Sequence, residues 1–357
     1  MAFIELDKKK LQHNYKYLDS LFKKHNISWG IVTKVLCGNE VFLKEVLDLG
    51  INQVCDSRTT NLSAIKKLKP NIETVYIKPP AKRNIKEVVK YADISFNTEY
   101  STIRALSDEA KRQDKVHRII IMIEMGDLRE GVMRDEFIDF YARVFELPNT
   151  EVVGIGTNLN CLNGVLPNND KLIQLSLYKQ LIEARFNKKI PLVSGGSSVT
   201  IPLLFKELLP FGITHFRIGE TLFFGNDLYN NTRLKNMETH IFRLFAEIIE
   251  LSEKPMVPEG EMGTNVAGHA IVINEENYGR TSFRAIIDLG LLDVEDKNLR
   301  PLDKQLTFVG ASSDMIVLDL GDNNKSYKVG DLIEFEVNYL GALSVLNSNY
   351  IEKKIVQ

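Results

Sequence analysis

The sequence predicts an α/β fold: a (β/α)8 TIM-like barrel followed by a C-terminal β domain. Three observations carry that expectation. Short β-rich runs alternate with amphipathic helical segments from about residue 28 to about residue 235. After that point the texture changes to strand-like stretches separated by polar turns such as Gly321-Asp322-Asn323-Asn324. The length of 357 residues, 44% of them hydrophobic and 26% charged, suffices for a large core and two domains. The expected division is a barrel over 8–235 and a β domain over 236–357, to which residues 1–7 can add a strand.

The eight strand candidates are Trp29–Thr33, Gln53–Asp56, Thr74–Lys78, Ile94–Phe96, His117–Ile123, Val152–Thr157, Leu192–Ser194 and His215–Ile218. Helical patterns follow them, among them Val41–Leu49, Ile85–Tyr91, Thr102–Arg112, Asp135–Phe145, Ile173–Phe186 and Ile201–Leu208. Eight such units at this length point to a closed barrel, in which functional groups lie at the C-terminal ends of strands. In the second domain, strands are expected at His240–Ile249, Ala270–Ile273, Arg284–Ile287, Leu306–Val309, Met315–Leu320 and Leu332–Val337.

Composition excludes several classes of partner. The formal net charge is −2, with neither a basic arm nor an aromatic-interleaved stripe, so no nucleic acid is expected. Cys37, Cys55 and Cys161 are odd in number and widely spaced, which argues against a disulfide framework and against clustered zinc ligands. No stretch is apolar enough to suggest a leader or a membrane span, and a cytoplasmic location is expected.

The first strand run closes on Lys34, ahead of Val35-Leu36-Cys37-Gly38-Asn39. A buried ammonium is expensive, so a lysine closing an apolar strand either snorkels to solvent or is held deprotonated for chemistry. Other strand ends supply Asp56-Ser57-Arg58, Lys78, the run from Glu124 to Gly131, Thr157-Asn158-Leu159-Asn160-Cys161, Ser194-Gly195-Gly196-Ser197-Ser198 and Arg217-Ile218-Gly219-Glu220. The Gly/Ser run precedes a helix, where N–H and hydroxyl donors suit a phosphate. A strand-end lysine opposite a phosphate cradle points to pyridoxal 5′-phosphate held on that lysine as a Schiff base. Taken singly, each feature has a plain reading: a surface lysine, a strand-to-helix turn, paired scaffold arginines, buried thiols. Their joint placement favours chemistry.

With those residues in hand, the chain resembles the fold-type III pyridoxal-phosphate enzymes of the alanine racemase superfamily, and within it the alanine/ornithine racemase branch. Val32-Thr33-Lys34-Val35-Leu36-Cys37-Gly38-Asn39 resembles the segment of the cofactor lysine. Gly126-Asp127-Leu128-Arg129-Glu130-Gly131-Val132 resembles the segment whose arginine contacts the phenolic oxygen, which implies that role for Arg129. Arg217-Ile218-Gly219 resembles the segment whose arginine faces the pyridine nitrogen. The resemblance further implies a phosphate contact from Ser197 or Ser198 and another from Tyr339, with Ser194, Gly196, Gly219 and Asn158 also lining the cofactor. A guanidinium does not readily give up a proton, so Arg217 weakens the ring as an electron sink and favours reprotonation at Cα over decarboxylation.

The substrate end departs from the alanine-specific pattern. No clear equivalent exists for the tyrosine that supplies the second base, and Gly290-Leu291-Leu292-Asp293-Val294 loses a substrate-facing tyrosine. A second proton carrier is sought opposite Lys34, with His269 first, Cys161 second and Tyr278 third. Asp293, Asp314 and Met315 are read as substrate contacts. The acidic cluster of Asp288, Asp293 and Glu295 either pairs with the distal ammonium of a diamino acid or is a solvated turn. The expected activity is racemisation of ornithine, with lysine or alanine as weaker substrates. A basic amino-acid decarboxylase and a non-catalytic pyridoxal-phosphate carrier are the alternatives. No metal is expected, because His269 is the last histidine and no cysteine follows Cys161. The resemblance also implies a homodimer whose site is completed across subunits.

Overall fold

The computed structural model describes residues 2–264, 270 and 272–357. Its contacts divide the chain into two units, Lys9–Thr239 and Met1–Lys8 with His240–Gln357. Strand β1 (Phe3–Asp7) belongs to the second unit. Helix α1 (Lys8–Lys24) then buries Leu11, Asn14, Leu18 and Phe22, the spacing of a single helical face. The polar member is satisfied, since Asn14 Nδ2 donates to the carbonyls of Leu222 at 3.0 Å and Glu238 at 2.9 Å.

Eight parallel strands follow: β2 (Ser28–Val32), β3 (Gln53–Asp56), β4 (Glu73–Tyr76), β5 (Ile94–Asn97), β6 (His117–Met122), β7 (Thr150–Gly156), β8 (Leu192–Ser197) and β9 (His215–Ile218). Each pairs with the next, and β9 closes the barrel on β2. The chain returns through α2 (Glu40–Leu47), α3 (Thr59–Leu68), α4 (Ile85–Tyr91), α5 (Tyr100–Arg112), α6 (Phe137–Val144), α7 (Asn169–Phe186), and the short α8 (Ile201–Phe205) and α9 (Glu220–Phe224). Strands covered on both faces need near-continuous apolar sequence, which is why these runs stand out. Val32, Cys55, Val75, Ile94, Phe96, Ile120, Met122 and Val153 form one buried cluster inside the barrel. A small hairpin of β10 (Asn226–Asp227) and β11 (Thr232–Arg233) ends this unit.

The second unit contains β12 (Phe242–Pro255), β13 (Thr281–Ile287), β14 (Leu299–Pro301), β15 (Thr307–Ala311), β16 (Ile316–Asp319), β17 (Leu332–Val337), α10 (Tyr339–Asn347) and β18 (Glu352–Val356). Its sheet order is β14-β17-β12-β13-β16-β15, and β1 pairs with both β12 and β18. Along β12, Phe242, Leu244, Ala246 and Ile248 are buried in alternation. Burying each of the larger three contributes about 1.5–3 kcal/mol. On the opposite face Arg243 pairs with Glu5 at 3.0 Å and Glu334 at 3.2 Å.

Two expectations change, and one site residue gains a setting. The stretch Ala270–Ile273 forms no ladder among the described residues: Ala270 makes an isolated bridge to Thr264, and Val272 is exposed. Ile271 and His269 lie outside the described residues. The run Ser194–Ser198 is not a loop, because β8 continues through Ser197 with a bulge between Ser194 and Gly196. Tyr339 opens a helix, with Asn338 Oδ1 accepting from the N–H of Gly341 at 2.8 Å.

Candidate active site

At the end of β2 the backbone turns into a short 3-10 segment, Lys34–Leu36, that starts with Thr33 at φ −91°, ψ 0° and ends with Cys37 in the left-handed region at φ 51°. Lys34 is exposed, so it belongs to the mouth of the barrel and not to its core. The turn is anchored from below. Thr33 Oγ1 donates to Asp56 Oδ2 at 2.9 Å, and Asp56 Oδ1 accepts from the N–H of Arg58 and from Asn61 Nδ2, both at 3.0 Å. Asp56 is fully buried; burial pushes its carboxyl up, against the hydrogen bonds from Thr33, Arg58 and Asn61 that favour the carboxylate. Two residues past β9, Glu220 is pushed up by burial while the Lys34 ammonium pulls it down, which brings the first and last barrel strands' ends into electrostatic reach.

Arg217 is buried on β9. Its Nη1 donates to the carbonyl oxygen of Ser194 at 2.9 Å and to Ser194 Oγ at 2.5 Å, and Nη2 donates to the carbonyl of Thr157 at 2.9 Å. Among the described residues these hydrogen-bond acceptors are all neutral oxygens, and the guanidinium also lies 5.1 Å from the centre of the Phe96 ring. Burial pulls it down from its usual value, yet a guanidinium remains charged. A buried cation whose described hydrogen bonds all go to neutral oxygens suits an added acceptor or anion.

Ser194 and Gly196 sit elsewhere than a phosphate loop would place them. The Ser194 hydroxyl is buried between Arg217 and His215, and a Cβ at Gly196 would come within 2.2 Å of the Phe216 ring, so packing demands that glycine. Ser198 is better situated: its hydroxyl accepts from the N–H of Thr221 at 3.2 Å and ties the segment after β8 to the start of α9, beside Gly219. Ser197 N–H donates to Thr200 Oγ1 at 3.2 Å in a capping box.

On the far side, exposed Arg129 forms a two-pronged ion pair with Glu130. Asn158 Nδ2 donates to Glu130 Oε1 at 3.1 Å and to Cys161 Sγ at 3.2 Å, so Arg129, Asn158 and Cys161 form one cluster. Asp127 shapes the loop beneath them. Its carboxylate accepts from the N–H groups of Cys161 (3.0 Å), Leu162 (2.9 Å), Asn163 (3.2 Å) and Val165 (3.2 Å). Burial opposes that charge, but the four backbone donors outweigh it and hold the carboxyl below the usual range. Sequence reasoning gave Asp127, Glu130 and Asp56 no role of their own, and the bonds from Cys161 to Asp127, from Asn158 to Glu130 and from Thr33 to Asp56 all come from distant segments.

In the second unit the predicted substrate contacts gather in one loop cluster. The N–H of Leu291 donates to Ser312 O at 3.0 Å and that of Leu292 to Ser313 O at 2.8 Å. A Cβ at Gly290 would meet the Asp314 backbone at 2.4 Å, so the loops touch only because that residue is glycine. Asp314 and Met315 are exposed, and Asp293 is half-buried, accepting from Ser348 Oγ at 2.6 Å. Glu295 pairs with Lys297 at 2.5 Å, which neutralises part of the acidic cluster. A cleft of about 700 Å³ opens here, lined by Leu292, Asp293, Glu295, Leu340 and Tyr350 among others. Tyr339 is half-buried and Tyr278 exposed.

A closed parallel barrel with a lysine after its first strand and a buried guanidinium on its last defines a cofactor-binding barrel. The lysine amine, Arg217, Arg129 and the hydroxyl of Ser198 form a donor set that fits an anionic aldehyde cofactor with an accepting ring nitrogen. The family described as "Alanine racemase, N-terminal domain" matches residues 6–227. The chain belongs to the alanine racemase family, whose members are pyridoxal-phosphate-dependent racemases. It is 37% identical to the ornithine racemase of Acetoanaerobium sticklandii over 99% of both chains. It is also 30% identical to the lysine racemase of Thermotoga maritima, over 97% of this chain and 96% of that one. Among solved structures, the alanine racemase from Bartonella henselae with covalently bound pyridoxal phosphate matches with a TM-score of 0.73 at 16% identity, covering 99% of each chain.

Proposed function

We propose that this racemase interconverts L- and D-ornithine, with lysine and alanine as weaker substrates. The observation that carries the reading is the full-length identity to a racemase named for ornithine, supported by a second relative named for another diamino acid. Pyridoxal phosphate, when bound, supplies the electron sink that makes the amino-acid Cα acidic. Lys34 holds the cofactor and carries the proton on one face of Cα. Arg217 donates to the ring nitrogen without surrendering a proton, which restrains the sink and favours return of the proton to Cα. Arg129 takes the phenolic oxygen. Asn158, Ser194, Gly196, Ser197, Ser198, Gly219 and Tyr339 complete the cofactor set, Ser194 through Arg217 and Gly196 through packing.

On the other face His269 is the first proton carrier, ahead of Cys161 and Tyr278. Asp293, Asp314 and Met315 meet the substrate, and the carboxylate of Asp293, which also accepts from Ser348 Oγ, is the acceptor for the distal ammonium. A homodimer in the cytoplasm completes the reading; the free thiols Cys55 and Cys161 suit a reducing compartment. Among the described residues no helix is long and apolar enough to cross a membrane.

Purified protein should show the visible-range absorbance of a lysine-bound pyridoxal and racemise L-ornithine with a higher kcat/KM than L-lysine or L-alanine. A preference for alanine overturns the substrate assignment, and release of carbon dioxide overturns racemisation. If His269→Ala leaves both directions unchanged, the second proton passes to Cys161, and Cys161→Ala must then slow one direction of proton transfer.

A further inference from the structure

Inward positions of such barrels are ordinarily filled by branched apolar side chains. Gln53, Glu73 and Arg118 each stand two residues before a core member of the same strand, Cys55, Val75 and Ile120, and so share the interior face. They join His215, Ser194 and Arg217 in a continuous series of polar contacts. Arg217 Nη1 donates to Ser194 Oγ at 2.5 Å, and Ser194 Oγ lies 2.7 Å from His215 Nδ1. His215 Nε2 lies 2.7 Å from Gln53 Oε1, and Gln53 Nε2 donates to Glu73 Oε2 at 2.6 Å. Glu73 ends the series in an ion pair with Arg118 at 2.9 Å.

The chemistry of the two ends leaves one direction for every proton. A guanidinium only donates, so Ser194 Oγ accepts from it and sends its own hydrogen to His215 Nδ1. A carboxylate only accepts, so the Gln53 amide turns its N–H to Glu73 and its oxygen to His215. The Glu73 end therefore demands a proton on Nε2 of His215, and the neutral ring then accepts the Ser194 hydrogen on Nδ1.

The path must pass across β2, which lies between β9 and β3. At the crossing stands Gly30, where a Cβ would come within 2.6 Å of Gln53 Oε1 and 2.8 Å of Cys55 Sγ. The missing side chain is the opening through which Gln53 reaches His215. Burial, with the Arg217 cation, holds His215 down at about 3, so it remains neutral while the series persists.

We propose that Ser194, His215, Gln53 and Glu73 are positioning residues for Arg217: a one-directional hydrogen-bond series through the barrel that fixes the orientation of its guanidinium. The bonds are internal to this chain. Their consequence for catalysis rests on the reading of Arg217 as the partner of the ring nitrogen.

The test uses the full chain labelled with ¹⁵N-histidine, with and without pyridoxal phosphate. The chain has 6 histidines, and His215→Asn identifies the signal. His215 is expected as the Nε2–H tautomer, without titration between about pH 5 and about pH 8. An Nδ1–H tautomer, or titration near neutrality, overturns the proposal on wild-type protein alone. Gln53→Leu and Gly30→Ala are each expected to mix the tautomers and to lower kcat about 10- to 100-fold with little change in KM. Loss of the tautomer signature with unchanged kcat overturns the positioning role. The expected tautomer in a wild-type chain that racemises nothing leaves the series standing and overturns the functional reading instead.

Discussion

At the barrel mouth Thr33, Asp56 and Asn61 are buried and bonded across from one strand end to the next helix, whereas in the C-terminal unit Asp314 and Met315 are exposed and half-buried Asp293 accepts from the Ser348 hydroxyl. Removing one member of the first set strands several buried donors; changing one of the second exposes little that was not already wet. The mouth can therefore hold one arrangement of its lysine and arginine, while the loop cluster can change residue by residue and retune what it recognises.

The largest effect tests the mouth directly. Lys34→Ala should abolish the visible-range absorbance and lower racemisation by at least about 10²- to 10⁴-fold; retained activity would remove Lys34 from the chemistry. Next comes its foundation. Asp56→Ala deprives Thr33, Arg58 and Asn61 of their shared acceptor and should lower the free energy of unfolding by about 3 kcal/mol, read from urea denaturation. Unchanged stability would show that the mouth is no more rigid than the loops.

Two smaller effects sharpen the contrast. Asp293→Ala should lower kcat/KM for ornithine about tenfold relative to alanine, the loss of one charge-assisted contact, and leave the absorbance intact. Equal losses for both substrates would deny this loop a specificity role. The last is electrostatic and turns on opposite signs. Asp127 has a lowered carboxyl, so its contribution is present above the unfolded value near ~4 and is lost as pH falls through the folded value. Asp56 has a raised one, so its contribution is full below that unfolded value and is lost as pH rises through the folded value. In acid, Asp127→Ala should therefore flatten the decline of melting temperature; an unaltered slope below about pH 4 would be falsifying.

The barrel was legible because parallel strands covered on both faces leave apolar runs that local sequence cannot hide. Lys34 and Arg217 were legible as strand ends for the same reason. Ser194 was read as a loop donor because Ser-Gly-Gly-Ser resembles a turn, and only pairing with β9 shows that the strand continues there. Asp127 had no local signal at all, since the N–H groups it holds begin 34 residues later in the chain.

By itself, then, the sequence determined the alternation of eight strands with helices and the charged residues near the ends of those strands, because these follow from period and composition over a few residues. Tertiary structure alone decided that Asp56 anchors the lysine turn, that Gly30 opens a path for Gln53 and that His215 lies between Ser194 and Gln53. Each of those facts depends on side chains from different strands meeting within hydrogen-bonding distance, and a hydrogen bond between segments leaves no mark in either segment read alone.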